Sequence, residues 1–553
     1  MHCLNCQKQF WRLCHRQGHR YVSSLTPLGS AFNSRPQKST FYPSKWTNKI
    51  TAKSTGLFQF PELVSANGFE ELKQSCAKRS QELVQEACSN PPQRNRIVAR
   101  VFDELSDELC RVADMAEFVR LAHPDRNMAQ AAEDACISVS GIVERLNTDV
   151  VLFESLRSSV KNGTDNQMSD DVDQHVANLF LLDFYQCGIH LNESERQNVV
   201  ELNDAILQIG QHFSANCHRP RVVKKMDLPS KIRHHFSIDG DNVVLSGLPV
   251  DTPHDLAREA GYKIYYLEDE SQEELLSRLV SMRHNLAQIC GYETFGHRAM
   301  TESLGATPDN VSEFLGKLSS ELKPRVMKDY NVMAKMKKKA TGATNLEVWD
   351  VPYFLMQARN DKFEINSRKI SEFFSLGVCM EGLDRLFNRL YGVKLQLSEP
   401  LPGELWHQDV YKLSVREVSN DEELGVIYCD FFTRSGKPHQ DCHFTIRGGR
   451  LRDQHGAYQN PVVVLMLNLP PPGWSRPTLL SGSMIDNLFH EMGHAMHSML
   501  ARTKYQHVTG TVDPRYSDSF RQQEKISNYI YFKLLLTPPE QKLIIYSLQN
   551  RSS

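Results

Sequence analysis

The run His490-Glu491-Met492-Gly493-His494 carries the residue types of a metal-assisted hydrolase. Histidines at i and i+4 lie one above the other on a helix, so both imidazoles reach one metal ion. Glu491 follows the first histidine, which puts its carboxylate beside a water activated by that ion. Zinc lowers the pKa of such a water toward ~7, and a neighbouring carboxylate takes its proton and passes it to a leaving amine. The pattern points to attack of water on a peptide carbonyl, with no acyl-enzyme. The plain structural alternative is a helix that carries two exposed histidines and a glutamate. His497, one turn beyond His494, reads as a supporting or packing residue rather than a ligand.

These side chains need a rigid helix, and the flanking residues supply one. Ser483 and Asp486 resemble a capping box, and Met484, Leu488, Met492, Ala495, Met496 and Met499 form an apolar packing face. Upstream, residues 425–432 (GVIYCDFF), 443–446 and 462–467 are short β-branched or aromatic runs around the turn-forming Arg447-Gly448-Gly449-Arg450. They predict a small sheet just before the histidine helix. A sheet edge beside a metal site holds an extended peptide by main-chain hydrogen bonds.

Most of the remaining chain has helical periodicity. Val101, Leu105, Leu109, Val112, Met115, Phe118, Val119 and Ala122 recur at spacings of three and four, with Asp103, Glu104, Glu108, Arg111 and Asp114 on the solvated side. His123-Pro124 ends this helix, because the residue before a proline is pushed out of helical geometry. Similar stripes return at 179–184, 275–286, 311–318 and 383–390, while polar breaks predict loops at 162–171 and 335–344.

At 553 residues the chain is too long for one core, and two or more domains are expected. A net charge of -2 argues against general binding to nucleic acid or anionic membranes. The most apolar run, 461–470 (PVVVLMLNLP), is half the length of a transmembrane helix and bracketed by prolines, so it reads as a buried strand. Thirteen irregularly spaced cysteines suggest free thiols in a reducing compartment, and the lone Cys3/Cys6 pair is a weak motif. No acidic residue precedes Glu62, while Lys8, Arg12, Arg16, Arg20, Arg35, Lys38, Lys45, Lys49 and Lys53 do. With its many Ser and Thr residues, this start has the composition of a mitochondrial transit peptide. Residues 1–54 are read as that leader and a disordered start, cut between Arg35 and Thr55.

The stretch 488–500 (LFHEMGHAMHSML) resembles the zinc helix of the thimet oligopeptidase family of metallopeptidases. Longer blocks resemble the mitochondrial processing branch of that family. They are 102–125 (FDELSDELCRVADMAEFVRLAHPD), 373–392 (FFSLGVCMEGLDRLFNRLYG), 429–450 (CDFFTRSGKPHQDCHFTIRGGR), 461–470 and 505–511 (YQHVTGT). Together they sample most of the chain from 55 to 511. The resemblance implies a mainly α, two-lobed metallopeptidase with a small sheet beside the zinc helix. It implies an N-terminal helical domain over 55–255 and a partial catalytic domain over 256–511. It also implies a mitochondrial-matrix enzyme that removes N-terminal octapeptides from imported precursors, with His490 and His494 as zinc ligands and Glu491 as general base.

Beyond Thr511 the resemblance stops. The family's third zinc ligand, a glutamate about 25 residues past the second histidine, falls here on Ser519. Asp518 and Glu524 are the nearest candidate substitutes, with Asp513 and Glu540 also downstream. Residues 512–553 read as a divergent tail, with a short helix starting at Thr537, and the resemblance leaves the C-terminal part of the catalytic lobe unmatched. Weak zinc binding and impaired catalysis are the expectation on that reading. A non-cutting peptide-binding isoform and a general matrix oligopeptidase are the alternatives.

Overall fold

The computed structural model describes residues 25–34, 54–89, 94–162, 170–217, 220–245, 247–248, 252–301, 303, 305–363, 370–452, 456–473 and 476–509. The chain divides into two compact units, residues 1–184 with 367–553, and residues 185–366. Among the described residues helices predominate, in agreement with the periodicity.

Among its described residues the first unit begins with the helices α1 (Pro27–Phe32), α2 (Gly68–Cys88), α3 (Val98–Ala122), α4 (Arg126–Asn147), α5 (Val150–Asn162) and α6 (Asp171–Gln186). Helix α3 ends at Ala122 with His123 in extended geometry, where the following proline requires it. Its polar side is not wholly solvated, which corrects the sequence reading. Asp103 and Asp107 are buried, and Asp103 accepts from the His507 backbone N–H at 2.9 Å and from Arg450 at 3.1 Å. A periodic pattern cannot distinguish a carboxylate facing water from one facing a buried arginine.

The second unit contains α7 (Glu193–Cys217), strands β1 (Arg221–Lys224), β2 (Ser237–Asp239) and β3 (Asn242–Leu245), then α8 (Asp255–Tyr265), α9 (Glu270–Ile289), α10 (Phe295–Ala299), α11 (Pro308–Thr341) and α12 (Val351–Phe363). Its three strands are antiparallel, in the order β1-β3-β2. The loop expected at 335–344 is instead the last part of α11, which runs to Thr341 and stops at Gly342 with φ 78°. Two facts explain the difference. Lys338 and Lys339 complement the negative end of the helix dipole, and Lys337 turns inward to Asp350 at 2.5 Å. Asp350 also accepts from the buried Arg258 at 2.7 Å, so the carboxylate is paired twice.

The chain then re-enters the first unit through α13 (Leu376–Tyr391), β4 (Val393–Ser398), β5 (Tyr411–Glu417), β6 (Glu423–Phe432), β7 (Cys442–Arg447), the short pair β8 (Arg450–Leu451) and β9 (Tyr458–Gln459), β10 (Val462–Leu469) and α14 (Gly482–Leu500). The main sheet has the order β4-β5-β6-β10-β7. Only β10 against β6 is parallel. The strands at 425–432, 443–446 and 462–467 are present, and β4 and β5 extend the sheet beyond the sequence reading. One face, with Leu413, Ile427, Cys429, Phe431, Val463, Leu465 and Leu467, packs with α1, α13 and α14. The other carries Tyr428 and Phe444, in ring contact with Phe58, Trp406 and Phe118. A strand covered on both sides needs no polar alternation, which is why β10 reads as a continuous apolar run.

A buried ion cluster pins the turn after β6. Asp430 accepts from Trp406 Nε1 at 2.9 Å and pairs with Arg434 at 2.5 Å and Lys437 at 2.9 Å. Burial pushes its carboxyl up, but Arg434 and Lys437 outweigh that and hold it below the ordinary carboxylate value. The Lys437 ammonium has no exposed surface and also donates to the Phe432 and Leu467 carbonyls, at 3.0 and 2.6 Å. Asp430→Ala leaves that buried charge unpaired and is expected to destabilise the protein by about 3–5 kcal/mol in urea unfolding. A loss below about 1 kcal/mol would place the cluster among the weak surface pairs.

Candidate metal centre

Helix α14 starts at Gly482, about two turns before His490. Ser481 is the N-cap, its side chain accepting from Met484 N at 3.4 Å, so the cap lies two residues before the predicted Ser483. Ser483 lies instead within hydrogen-bond distance of Ser481, at 3.0 Å between the hydroxyls. Leu488, Met492, Ala495, Met496 and Met499 are buried against the sheet, worth roughly 1.5–3 kcal/mol for each large side chain. Close approach of the helix to β6 depends on Gly425. A Cβ there would stand 2.4 Å from Met499 Sδ and 2.6 Å from the Pro461 carbonyl.

With that face buried, the helical repeat turns His490 and His494 to one side. Their Nε2 atoms are 3.1 Å apart, and the rings meet nearly at right angles with centroids at 4.7 Å. Two nitrogens bound to one tetrahedral zinc at ~2.0–2.1 Å stand about 3.0–3.5 Å apart, so the pair fits a shared ion. Burial, then the neighbouring His490 and His497, lowers the His494 pKa. That keeps its imidazole neutral and able to donate a lone pair. Among the described residues, no group of three or more His, Cys, Asp and Glu side chains could hold a metal. Ser519, Asp518, Glu524, Asp513 and Glu540 all lie outside the described residues, as do the leader positions before residue 25 and the predicted helix beginning at Thr537.

Glu491 projects to the sheet side of the same turn and is 6% exposed. Burial, with a smaller contribution from Asp441, pushes its carboxyl up to about 7. A carboxyl at that value exchanges protons near neutral pH, as a general base must.

Residues that sequence reasoning missed come from β7 and its approach. Asp441 accepts from Asn487 of α14 at 2.7 Å and from Asn468 of β10 at 3.1 Å. His443 Nε2 lies 3.3 Å from Ser498 Oγ, and its ring centroid is 6.1 Å from that of His494. Burial first, then His494 and His497, lowers the His443 pKa to about 4. These contacts tie edge strand β7 to the helix carrying the histidines. The nearest sequence signal was the polar pair Asp441 and His443 flanking Cys442 at the start of a strand. His497 is partly buried, and burial lowers its pKa; it stands outside the converging pair.

The segment after α14 is held equally firmly. Tyr505 donates to Asp173 at 2.5 Å, Lys504 pairs with Asp173, and His507 stacks on Phe180 at 4.0 Å. Gln506 lies in a short 3-10 turn and accepts from Ser106 at 3.2 Å.

The profile of peptidase family M3 matches residues 251–517. The mitochondrial intermediate peptidase of Homo sapiens is 46% identical over 503 residues, covering 90% of this chain and 68% of that protein. The protein of the same name from Pongo abelii gives the same figures. That of Mus musculus is 45% identical over 493 residues, covering 89% of this chain and 68% of the relative. The chain belongs to peptidase family M3, as a metallopeptidase of the mitochondrial intermediate peptidase group.

Proposed function

We propose that this chain is a zinc metalloendopeptidase of the mitochondrial matrix that removes N-terminal octapeptides from imported precursor proteins. The observation that carries the reading is the convergence of His490 Nε2 and His494 Nε2 at 3.1 Å beside the buried Glu491. His490 and His494 hold the ion, which when bound supplies Lewis acidity and makes water a better nucleophile. Glu491 takes a proton from the attacking water and returns it to the leaving amine. Edge strand β7 aligns an extended precursor segment through main-chain hydrogen bonds. No described helix is long and apolar enough to cross a membrane.

The decisive experiment is cleavage of a precursor carrying an octapeptide extension. Glu491→Gln is expected to lower kcat/KM by ~10²–10⁴-fold with zinc content unchanged. His490→Ala and His494→Ala are expected to lose bound zinc by elemental analysis. A folded chain that binds the extension without cutting it would assign the non-cutting role. Equal cleavage of short unrelated peptides, with the folded precursor left intact, would assign the general oligopeptidase role.

The pH dependence has a definite sign. Glu491 acts as a base only when ionised, so activity falls as pH drops through its pKa. Asp441 raises that pKa by repulsion between the two carboxylates. Asp441→Asn should therefore move the acid limb of the kcat/KM profile to lower pH. An unchanged or upward-shifted limb would remove Asp441 from this role.

A further inference from the structure

Residues 25–34 fall inside the stretch read from composition as leader and disordered start, yet they are built into the core of the first unit. Thr26 caps α1, its hydroxyl accepting from Gly29 N at 3.3 Å, and Pro27 occupies the first helical turn. Phe32 has no exposed surface, and its ring lies 4.3 Å from Tyr411 and 5.8 Å from Phe431. Leu28 is buried in the same cluster. Polar contacts close both ends. Thr26 N donates to Glu381 at 3.4 Å, Gly377 N donates to Asn33 Oδ1 at 2.9 Å, and Tyr411 OH donates to the Ser34 carbonyl at 2.6 Å. The two backbones meet at Gly29 and Gly377, where a Cβ on Gly377 would stand 2.0 Å from the Gly29 carbonyl oxygen. A side chain is excluded there by the packing.

The charge pattern divides at the same place. Lys8, Arg12, Arg16 and Arg20 are spaced four apart, and no charged residue follows until Arg35. The charge-free docked segment thus interrupts the basic, acid-free composition, which resumes with Arg35, Lys38, Lys45, Lys49 and Lys53. A segment with this many partners is a fixed part of the folded enzyme, and its loss would open Phe431, Tyr411 and the Gly377 turn to water.

We propose that proteolytic maturation of this chain cuts upstream of Thr26, so that α1 stays in the mature enzyme as a plug on α13 and the sheet. The inference deepens the mitochondrial reading above and rests on it for the existence of a cut. The step is hydrolysis by a leader-removing endopeptidase. The peptide C–N bond breaks, water supplies hydroxyl to the released leader's new carboxyl end, and a proton goes to the new amino terminus. The expected cut, between Arg20 and Thr26, replaces the window from Arg35 to Thr55 that composition alone suggested.

The test imports the full-length precursor into isolated mitochondria and sequences the amino terminus of the protected product. A terminus at or before Thr26 is expected, and one beyond Thr26 overturns the proposal. A precursor that is not taken up overturns the mitochondrial reading. Retention is then tested on the purified full chain, without import. There Phe32→Asp and Gly377→Leu should each lower the unfolding temperature by several degrees, while Ser30→Ala on the exposed side of α1 should not. An unfolding temperature unmoved by both core substitutions would overturn the plug.

Discussion

The packing of α14 on the sheet is the constraint from which the rest of the first unit follows. The helix must bury Leu488, Met492, Ala495, Met496 and Met499 along one stripe, and the α-helical repeat then dictates where His490 and His494 face. Any rotation of the helix about its axis that turned the histidines to another side would expose the methionine face. The apolar surface therefore sets where the histidine pair faces. Gly425 permits the close approach, and the continuous apolar strand β10 supplies the surface to be covered.

Around this apolar seam the protein places buried carboxylates, each with cationic or hydrogen-bonding partners. Asp430 holds the turn after β6, and Asp103 with Arg450 joins α3 to β8. Glu404 gathers Gln59, Lys412 and Tyr428 at distances of 2.5–2.9 Å. Such clusters cost desolvation and add little net stability against an apolar core, but breaking one is expensive. Their effect here is positional. They fix where loops and helices meet the sheet, which nonspecific apolar packing alone leaves loose. Glu491 differs from Asp430 and Glu404, whose partners hold their carboxyls below the ordinary value: burial, then Asp441, raises the Glu491 pKa. Burial raises Asp103 as well, to about 6, while it accepts from Arg450 and from His507 N.

Much of this was legible in the residues. The helix at 98–122 and its proline-set end, the strand at 462–469 and the spacing of His490 and His494 all follow from local periodicity. The misreadings share a cause. Charge alone reads Asp103 and the lysines of 335–344 as solvated, but Asp103 is buried against Arg450, 347 residues away, and Lys337 against Asp350, 13 residues away. Residues 25–34 were set aside because their neighbours are basic and acid-free, yet the segment itself is uncharged and carries Leu28 and Phe32. The sheet was under-read because β4 and β5 mix polar residues among their apolar ones.

What the sequence determined by itself was the chemistry of the site and its helical spacing, because an i, i+4 pair is a local property of one helix. Long matching blocks also carried the family. Tertiary structure alone decided that residues 1–184 and 367–553 make one unit, and that β7 borders the metal helix. It alone raised the Glu491 pKa through burial and brought α1 onto Gly377. These are contacts between residues tens to hundreds of positions apart. Local periodicity records which side of an element is apolar, but it holds no information about which distant surface that side will meet.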